Sequence, residues 1–329
     1  MPTLGKTRLQ VSPIGVGLAA LGRPGYINLG HAGDLKHNYA VDEMEAQAHS
    51  VLDAAWAAGV RYFDAARSYG RAEQFLGSWL KSRQLDPASV TVGSKWGYTY
   101  TANWQINAEH HEIKEHSLPV LERQWAESRQ NLGAYLDVYQ IHSATLESGV
   151  LDNAAVLTEL AGLKSDGLAI GLSLSGPAQA ETLQKALTVE FDGVRLFDTV
   201  QATWNLLETS AGPALQAARS AGVGVIIKEA LANGRLTPRN TDPAFADKLA
   251  LLQQQARRLD TSIDALALAA VLAQPWADVA LSGAATVAQL QSNLRALTVA
   301  FDAAAGEALS ALVEPPQVYW ATRQKLAWN

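Results

Sequence analysis

The stretch Val60-Arg61-Tyr62-Phe63-Asp64-Ala65-Ala66-Arg67-Ser68-Tyr69-Gly70 decides how the rest of the chain is read. Val60 to Phe63 has the branched and aromatic content of a buried strand, and Asp64 to Gly70 has the small, polar content of a loop. The strand therefore ends on a carboxylate and runs into a tyrosine. The same phrase recurs along the chain: a helix rich in Ala and Leu, a Gly or Asp break, then a short apolar run ending in a polar residue. Besides Ile14 to Leu18 and Val60 to Asp64, the runs are Val90 to Lys95, Leu136 to His142, Leu168 to Ser173, Val194 to Gln201, Val223 to Lys228 and Val279 to Ser282, eight in all. Strands alternating with helices in this way predict an α/β fold, a (β/α)8 TIM barrel, because each strand needs a crossover helix to reach its parallel neighbour.

The flanking segments extend that frame. Leu4 to Val11 reads as a small N-terminal β-hairpin turning near Gly5-Lys6. Residues 22–41 carry too many Gly, Pro and Asn for a helix and read as a long loop, a length usually reserved for function. Asp42 and Glu45 resemble a capping box at the start of a helix that Gly59 stops. Pro315-Pro316-Gln317-Val318-Tyr319-Trp320 reads as a tail after the last helix, and no Pro/Ser linker divides residues 1–329, so one barrel domain is expected. The other architecture weighed is a doubly wound open sheet, since Gly15-Val16-Gly17-Leu18-Ala19-Ala20 fits G-x-G-x-x-A. A dinucleotide fingerprint needs a helix to begin at those glycines, and a Pro/Gly loop follows instead.

Composition removes several function classes. With 48% hydrophobic and 18% charged residues the chain has ample material for a core. There is no cysteine, which excludes disulfides, thiolate nucleophiles and cysteine metal sites. A net charge of −6 without a basic run argues against a nucleic-acid surface, which needs Lys and Arg to displace counterions. No apolar run approaches the ~18 residues of a membrane span, and the start lacks the apolar core of a signal peptide. A cytoplasmic protein is expected, with no membrane or nucleic-acid partner.

In such a barrel the catalytic groups sit at the C-terminal ends of strands. Strand two ends at Asp64, with Tyr69 in the following loop; strand three ends at Lys95 and strand four at His142. An acid, an ammonium and an imidazole on three adjacent strand tips converge on one small volume. Carbonyl reduction needs a hydride and a proton, so an acid must lie within hydrogen-bond reach of the carbonyl oxygen. The expected arrangement has Tyr69 as that acid, Lys95 lowering its pKa, Asp64 holding Lys95 charged, and His142 orienting the carbonyl.

Phe63-Asp64-Ala65-Ala66-Arg67-Ser68-Tyr69-Gly70, the lysine after strand three, Val138-Tyr139-Gln140-Ile141-His142 and Val200-Gln201-Ala202-Thr203-Trp204-Asn205 resemble the aldo-keto reductases over nearly the whole chain. The resemblance implies a nicotinamide cofactor, NADP by family default with NAD the other possibility, lying across the C-terminal face. It places the catalytic tetrad on Asp64, Tyr69, Lys95 and His142 and the nicotinamide carboxamide on Ser173 and Gln201. Leu174 stands where the family has Asn, and Lys228 stands where an aromatic stacks on nicotinamide; two readings of Lys228 stay open, one that it approaches the cofactor phosphates and one that it is a solvated or ion-paired lysine. By the same resemblance Leu231, Asn233 and Gly234 run along the pyrophosphate, Ser282, Gly283 and Gln289 hold the adenosine phosphate and Asn293 contacts adenine. Gly283 and Gln289 replace the usual Lys and Arg. Loops on the same face are expected to build a pocket for a small carbonyl or alcohol substrate, with Tyr26, Trp96 and Tyr319 in its wall.

Three other readings carry less. His110-His111-Glu112-Ile113-Lys114-Glu115-His116 matches no zinc helix motif, so no metal is expected. A Schiff-base lyase would need Lys95 or Lys228 uncharged, which a carboxylate beside Lys95 opposes. An NADP(H)-binding regulatory protein with little turnover would fit the altered nicotinamide contacts but not the intact tetrad.

Overall fold

The computed structural model describes all residues 1–329. Ile14–Gly17 (β1), Tyr62–Asp64 (β2), Thr91–Trp96 (β3), Leu136–Ala144 (β4), Ala169–Leu174 (β5), Thr199–Thr203 (β6), Gly224–Lys228 (β7) and Val279–Ser282 (β8) pair in parallel with their chain neighbours. β8 returns to β1, so the sheet closes into an eight-stranded barrel. Helices lie between successive strands, from Val41–Ala57 after β1 to Ile263–Leu272 before β8. Every residue of β2, β3, β6 and β8 is buried. Strands covered on both faces read as continuous apolar runs, which is why they were visible in the sequence.

Glycine makes room at the centre. A Cβ at Gly15 would lie 2.8 Å from the Tyr62 ring, and one at Gly93 2.7 Å from the Tyr62 hydroxyl. Gly15 thus serves barrel packing, not a dinucleotide fingerprint. The N-terminal end is closed by the segment read as a hairpin, which makes a single bridge, Thr3 to Gln10. Its Leu4 and Val11 pack on Tyr62, Val138, Ile226 and Val279.

Four expectations about elements need correction. The run Val194 to Gln201 is not one strand: Val194–Arg195 pairs antiparallel with Glu190–Phe191, and β6 begins only at Thr199. Left-handed Asp192 and Gly193 turn that small hairpin, and Asp198 ends it by accepting bonds from Lys164 Nζ (2.6 Å) and Ile170 N (3.0 Å). Residues 22–41 include one helical turn, His31–Asp34. The Asp42/Glu45 capping box does not form, because the helix starts at Val41 with Ala40 as an N-cap that makes no side-chain bond. The supposed tail is a helix, Pro316–Gln324, started by the proline that suits its first turn.

Candidate active site

The β2–β3–β4 tips converge as the spacing predicts. Asp64 and Lys95 form a fully buried ion pair on adjacent strands. The other carboxylate oxygen of Asp64 accepts from Gln201 Nε2 (3.0 Å) and Gln140 Nε2 (3.3 Å), and Lys95 Nζ also donates to Ala65 O (3.0 Å). The carboxylate is therefore saturated and fixed. Lys95 Nζ lies 3.4 Å from the Tyr69 hydroxyl, and His142 Nε2 lies 3.5 Å from the same oxygen on its other side.

Local backbone explains these placements. The pairing of β4 with β5 slips between Ile141 and Ala144, and Ser143 adopts a left-handed φ of 52° that turns the chain just past His142. Strain of this kind at a strand tip persists only where the surroundings enforce it. The Asp64–Gly70 loop is held by Arg67, which bonds the buried Glu73 carboxylate (2.8 Å) at the start of helix Ala72–Ser82. Glu73 also accepts from Ser94 and Ser128, both at 2.6 Å, and from Asn131 at 3.0 Å.

Burial decides the protonation states. Burial, reinforced by the Asp64 carboxylate, pushes the Tyr69 phenol well above its ordinary value. The expected net lowering by Lys95 is not found, because burial and the Asp64 carboxylate outweigh the ammonium beside the phenol. Burial, then the charges of Lys95 and Lys228, keep His142 neutral, far below the ordinary imidazole value. Tyr69 is thus a neutral phenol between the Lys95 side chain and a neutral imidazole.

A cleft of about 730 Å³ opens from these groups across the C-terminal face. Asp64, Tyr69, His142, Gln201, Lys228, Leu231, Asn233, Gly234, Gly283, Gln289, Asn293 and Tyr26 line it. Lys95 lies just beneath, fully buried. The other expected residues do not reach the cleft. Ser173 Oγ accepts from Ser143 N (2.8 Å) inside the wall, and Ser175 stands at the surface in its stead. Ser282 is fully buried and accepts from Asn293 Nδ2 (2.8 Å). Trp96 packs in the main core edge-on to His116. Tyr319 is buried in a second core cluster, accepting from Asn205 Nδ2 (3.0 Å). Both aromatics sit on elements packed against helices, so their apolar bodies were drawn inward.

Side chains that the sequence reading passed over complete the site. Gln140 alternates with His142 along β4, and that period of two was the available signal for its inward face. Arg23 lies 5.2 Å from the Tyr69 ring and 4.8 Å from Trp328, and pairs with Glu112 at 2.8 Å. Glu229 and Arg323 form a bidentate pair at the cleft wall. The final residues reach the same face: Asn329 exchanges two backbone bonds with Tyr26 (3.1 and 3.2 Å), and Trp328 stacks on His111 at 4.0 Å. These long-range partners leave no local pattern. His110 and His111 stand in a hairpin arm, and no three His, Asp or Glu side chains gather as metal ligands. No helix is long and apolar enough to cross a membrane.

The cleft fits an extended nucleotide. Asn233 Oδ1 is buried without a partner at its edge. Gly283 leaves open space where a side chain would stand. The helix Val287–Leu294, N-capped by Thr286, brings its first-turn residues Ala288 and Gln289 to the cleft, and a helix start of this kind would suit an anion.

The chain resembles known proteins along most of its length. Aldo-keto reductase str7 of Strobilurus tenacellus is 25% identical, over 91% of this chain and 88% of its own. Pyridoxal 4-dehydrogenase of Microbacterium luteolum is 26% identical over 42% of each chain. The solved holo form of an aldo-keto reductase from Bacillus halodurans superposes with a TM-score of 0.71 at 20% identity, covering 95% of this chain and 96% of that one, which establishes the shared fold. Residues 13–314 match the aldo/keto reductase family profile, and over that span the chain belongs to the aldo/keto reductase family.

Proposed function

We propose that this protein is an NAD(P)H-dependent oxidoreductase that reduces an aldehyde or ketone, or oxidises the corresponding alcohol, with Tyr69 as general acid and base. The observation that carries this reading is the convergence of Asp64, Tyr69, Lys95 and His142 on a cleft of about 730 Å³ whose lining extends to Gly283, Gln289 and Asn293. A reduced nicotinamide bound there would supply the hydride. Tyr69 holds its proton toward the cleft and gives it to the carbonyl oxygen. The Lys95 ammonium at 3.4 Å stabilises the phenolate as it forms, and Asp64 keeps Lys95 in place. Neutral His142 orients the carbonyl by a hydrogen bond without competing for the proton. Gln201, Asn233, Gly234, Gly283, Gln289 and Asn293 would hold the nucleotide.

NADP remains the family expectation, yet the cleft wall includes Asp264, Gly283 and Gln289, while its Arg239 is engaged with Asp34. That inventory gives a 2′-phosphate no free cation and favours NADH. Tyr26, Tyr98 and Trp328 with Arg23 suit a flat or aromatic substrate, and relatives named pyridoxal 4-dehydrogenase and putative aryl-alcohol dehydrogenase point the same way. The test is a turnover screen of aromatic and aliphatic aldehydes with both coenzymes, alongside Tyr69→Phe. The variant is expected to bind coenzyme within twofold of native while carbonyl reduction falls about 100-fold or more. Native-like turnover by Tyr69→Phe would sink the assignment, and tight coenzyme binding with no turnover on any substrate would favour a regulatory binding protein.

A further inference from the structure

The groups that face nicotinamide in the family are rearranged here. Ser173 is committed to Ser143 N, Leu174 is buried in the core, and Gln201 gives its amide to Asp64. One strong polar group remains on that wall, Lys228 at the tip of β7. Its ammonium donates to Thr203 Oγ1 (3.0 Å), stands 3.9 Å from Glu229 and lies 5.8 Å from the Trp320 ring. An ammonium has three donors, and only one hydrogen bond to protein engages them.

The charges around this corner can be paired off. Asp64 matches Lys95, Glu112 matches Arg23, and Glu229 is held in both oxygens by Arg323. His142 is neutral. Lys228 is left as the surplus positive charge, at the wall of the corner where a hydride donor must lie to reach a carbonyl bound by Tyr69. An oxidised nicotinamide ring is a cation, and the reduced ring is neutral.

We infer that Lys228 discriminates between the two redox forms of the coenzyme, weakening the oxidised form by charge repulsion and leaving the reduced form largely unaffected. This inference rests on the nicotinamide reading above. Its consequence is a bias toward reduction that comes from binding alone, independent of the proton donor. Lys228 is also placed to lose its charge within an accessible range: burial, opposed by Glu229 and reinforced by Arg323 and Lys95, brings it down to about 8. Discrimination should therefore relax as pH rises through that value.

The experiment is a fluorescence or calorimetric titration of the native protein, Lys228→Met and Lys228→Gln with NAD⁺, NADH, NADP⁺ and NADPH at pH 6.5, 8 and 9.5. Thermal melts at each pH establish that the variants are folded. Native protein is expected to bind the oxidised form about tenfold more tightly at pH 9.5 than at pH 6.5. In both variants the oxidised form should bind at pH 6.5 as tightly as it does to native protein at pH 9.5, with no pH trend. An unchanged ratio of oxidised to reduced affinity in the variants overturns the inference. A variant that alters only the substrate KM also overturns it, by giving Lys228 to the substrate. If native protein binds neither form, this inference and the reading beneath it both fall.

Discussion

Replacing Arg323 by Met removes the more exposed half of a partly buried pair and keeps most of the aliphatic stem. Arg323 lies on the helix Pro316–Gln324 and grips both oxygens of Glu229, which follows the tip of β7, with Nη2 and Nε among the contacts at 2.5 to 3.1 Å. Burial alone would push the Glu229 carboxyl up, but Arg323 and then Lys228 over-compensate and hold it at about 2. A carboxyl held there instead of at its ordinary 4.5 amounts to about 3 kcal/mol of stability at neutral pH. The sign follows from linkage: the folded value lies below the unfolded one, so the contribution is complete above about 4.5 and disappears as pH falls toward 2. Arg323→Met should thus lower the unfolding free energy by about 3 kcal/mol at pH 7, with a gap that narrows to about 1.5 kcal/mol at pH 3. Glu229→Gln with Arg323→Met should recover much of the loss, because the Glu229 carboxylate is then no longer left without its arginine. Urea unfolding followed by tryptophan fluorescence at both pH values measures this. A gap under about 1 kcal/mol at pH 7, or one unchanged at pH 3, would refute the pairing argument.

Other outcomes follow from the same geometry. Gly283→Lys with Gln289→Arg should tighten NADPH relative to NADH by about tenfold, read by titration; no change in the ratio would show that the 2′ position lies elsewhere. Glu73→Ala should cost about 2–3 kcal/mol in urea unfolding, chiefly by leaving the buried Ser94 and Ser128 hydroxyls without an acceptor while Arg67 keeps Glu127, and a loss below about 1 kcal/mol would mean the loop is held some other way. Because His142 is kept neutral by burial, the kcat/KM profile for reduction should show no imidazole break between pH 5.5 and 7.5. A break near 6.5 that vanishes in His142→Gln would contradict its neutral role.

The eight barrel strands and the convergence of Asp64, Tyr69, Lys95 and His142 were legible because each signal is local. A strand buried on both faces must be apolar throughout, and a functional group at its tip must interrupt that run at a fixed place, as Asp64, Lys95 and His142 do. Where a run crossed a turn, as at Val194 to Gln201, hydrophobicity alone could not show that Asp192 and Gly193 divide it into a hairpin and a strand. The pocket was far less legible. Trp96 and Tyr319 look like wall residues in sequence but are drawn into cores by packing partners far along the chain, while Arg23, Gln140 and Arg323 enter the site through contacts with residues 46, 76 and 94 positions away.

The sequence by itself determined that the chain is an alternating barrel with an acid, a tyrosine, a lysine and a histidine at adjacent strand tips. Only the tertiary structure decided how those groups are charged and what surrounds them. Protonation depends on burial and on which opposite charge lies within a few ångströms, and neither is written in local order. Asp64 absorbs the charge of Lys95, Arg323 grips Glu229 more closely than Lys228 does, and Lys228 is left as the surplus positive charge because the fold brings these residues together from four separate segments of the chain.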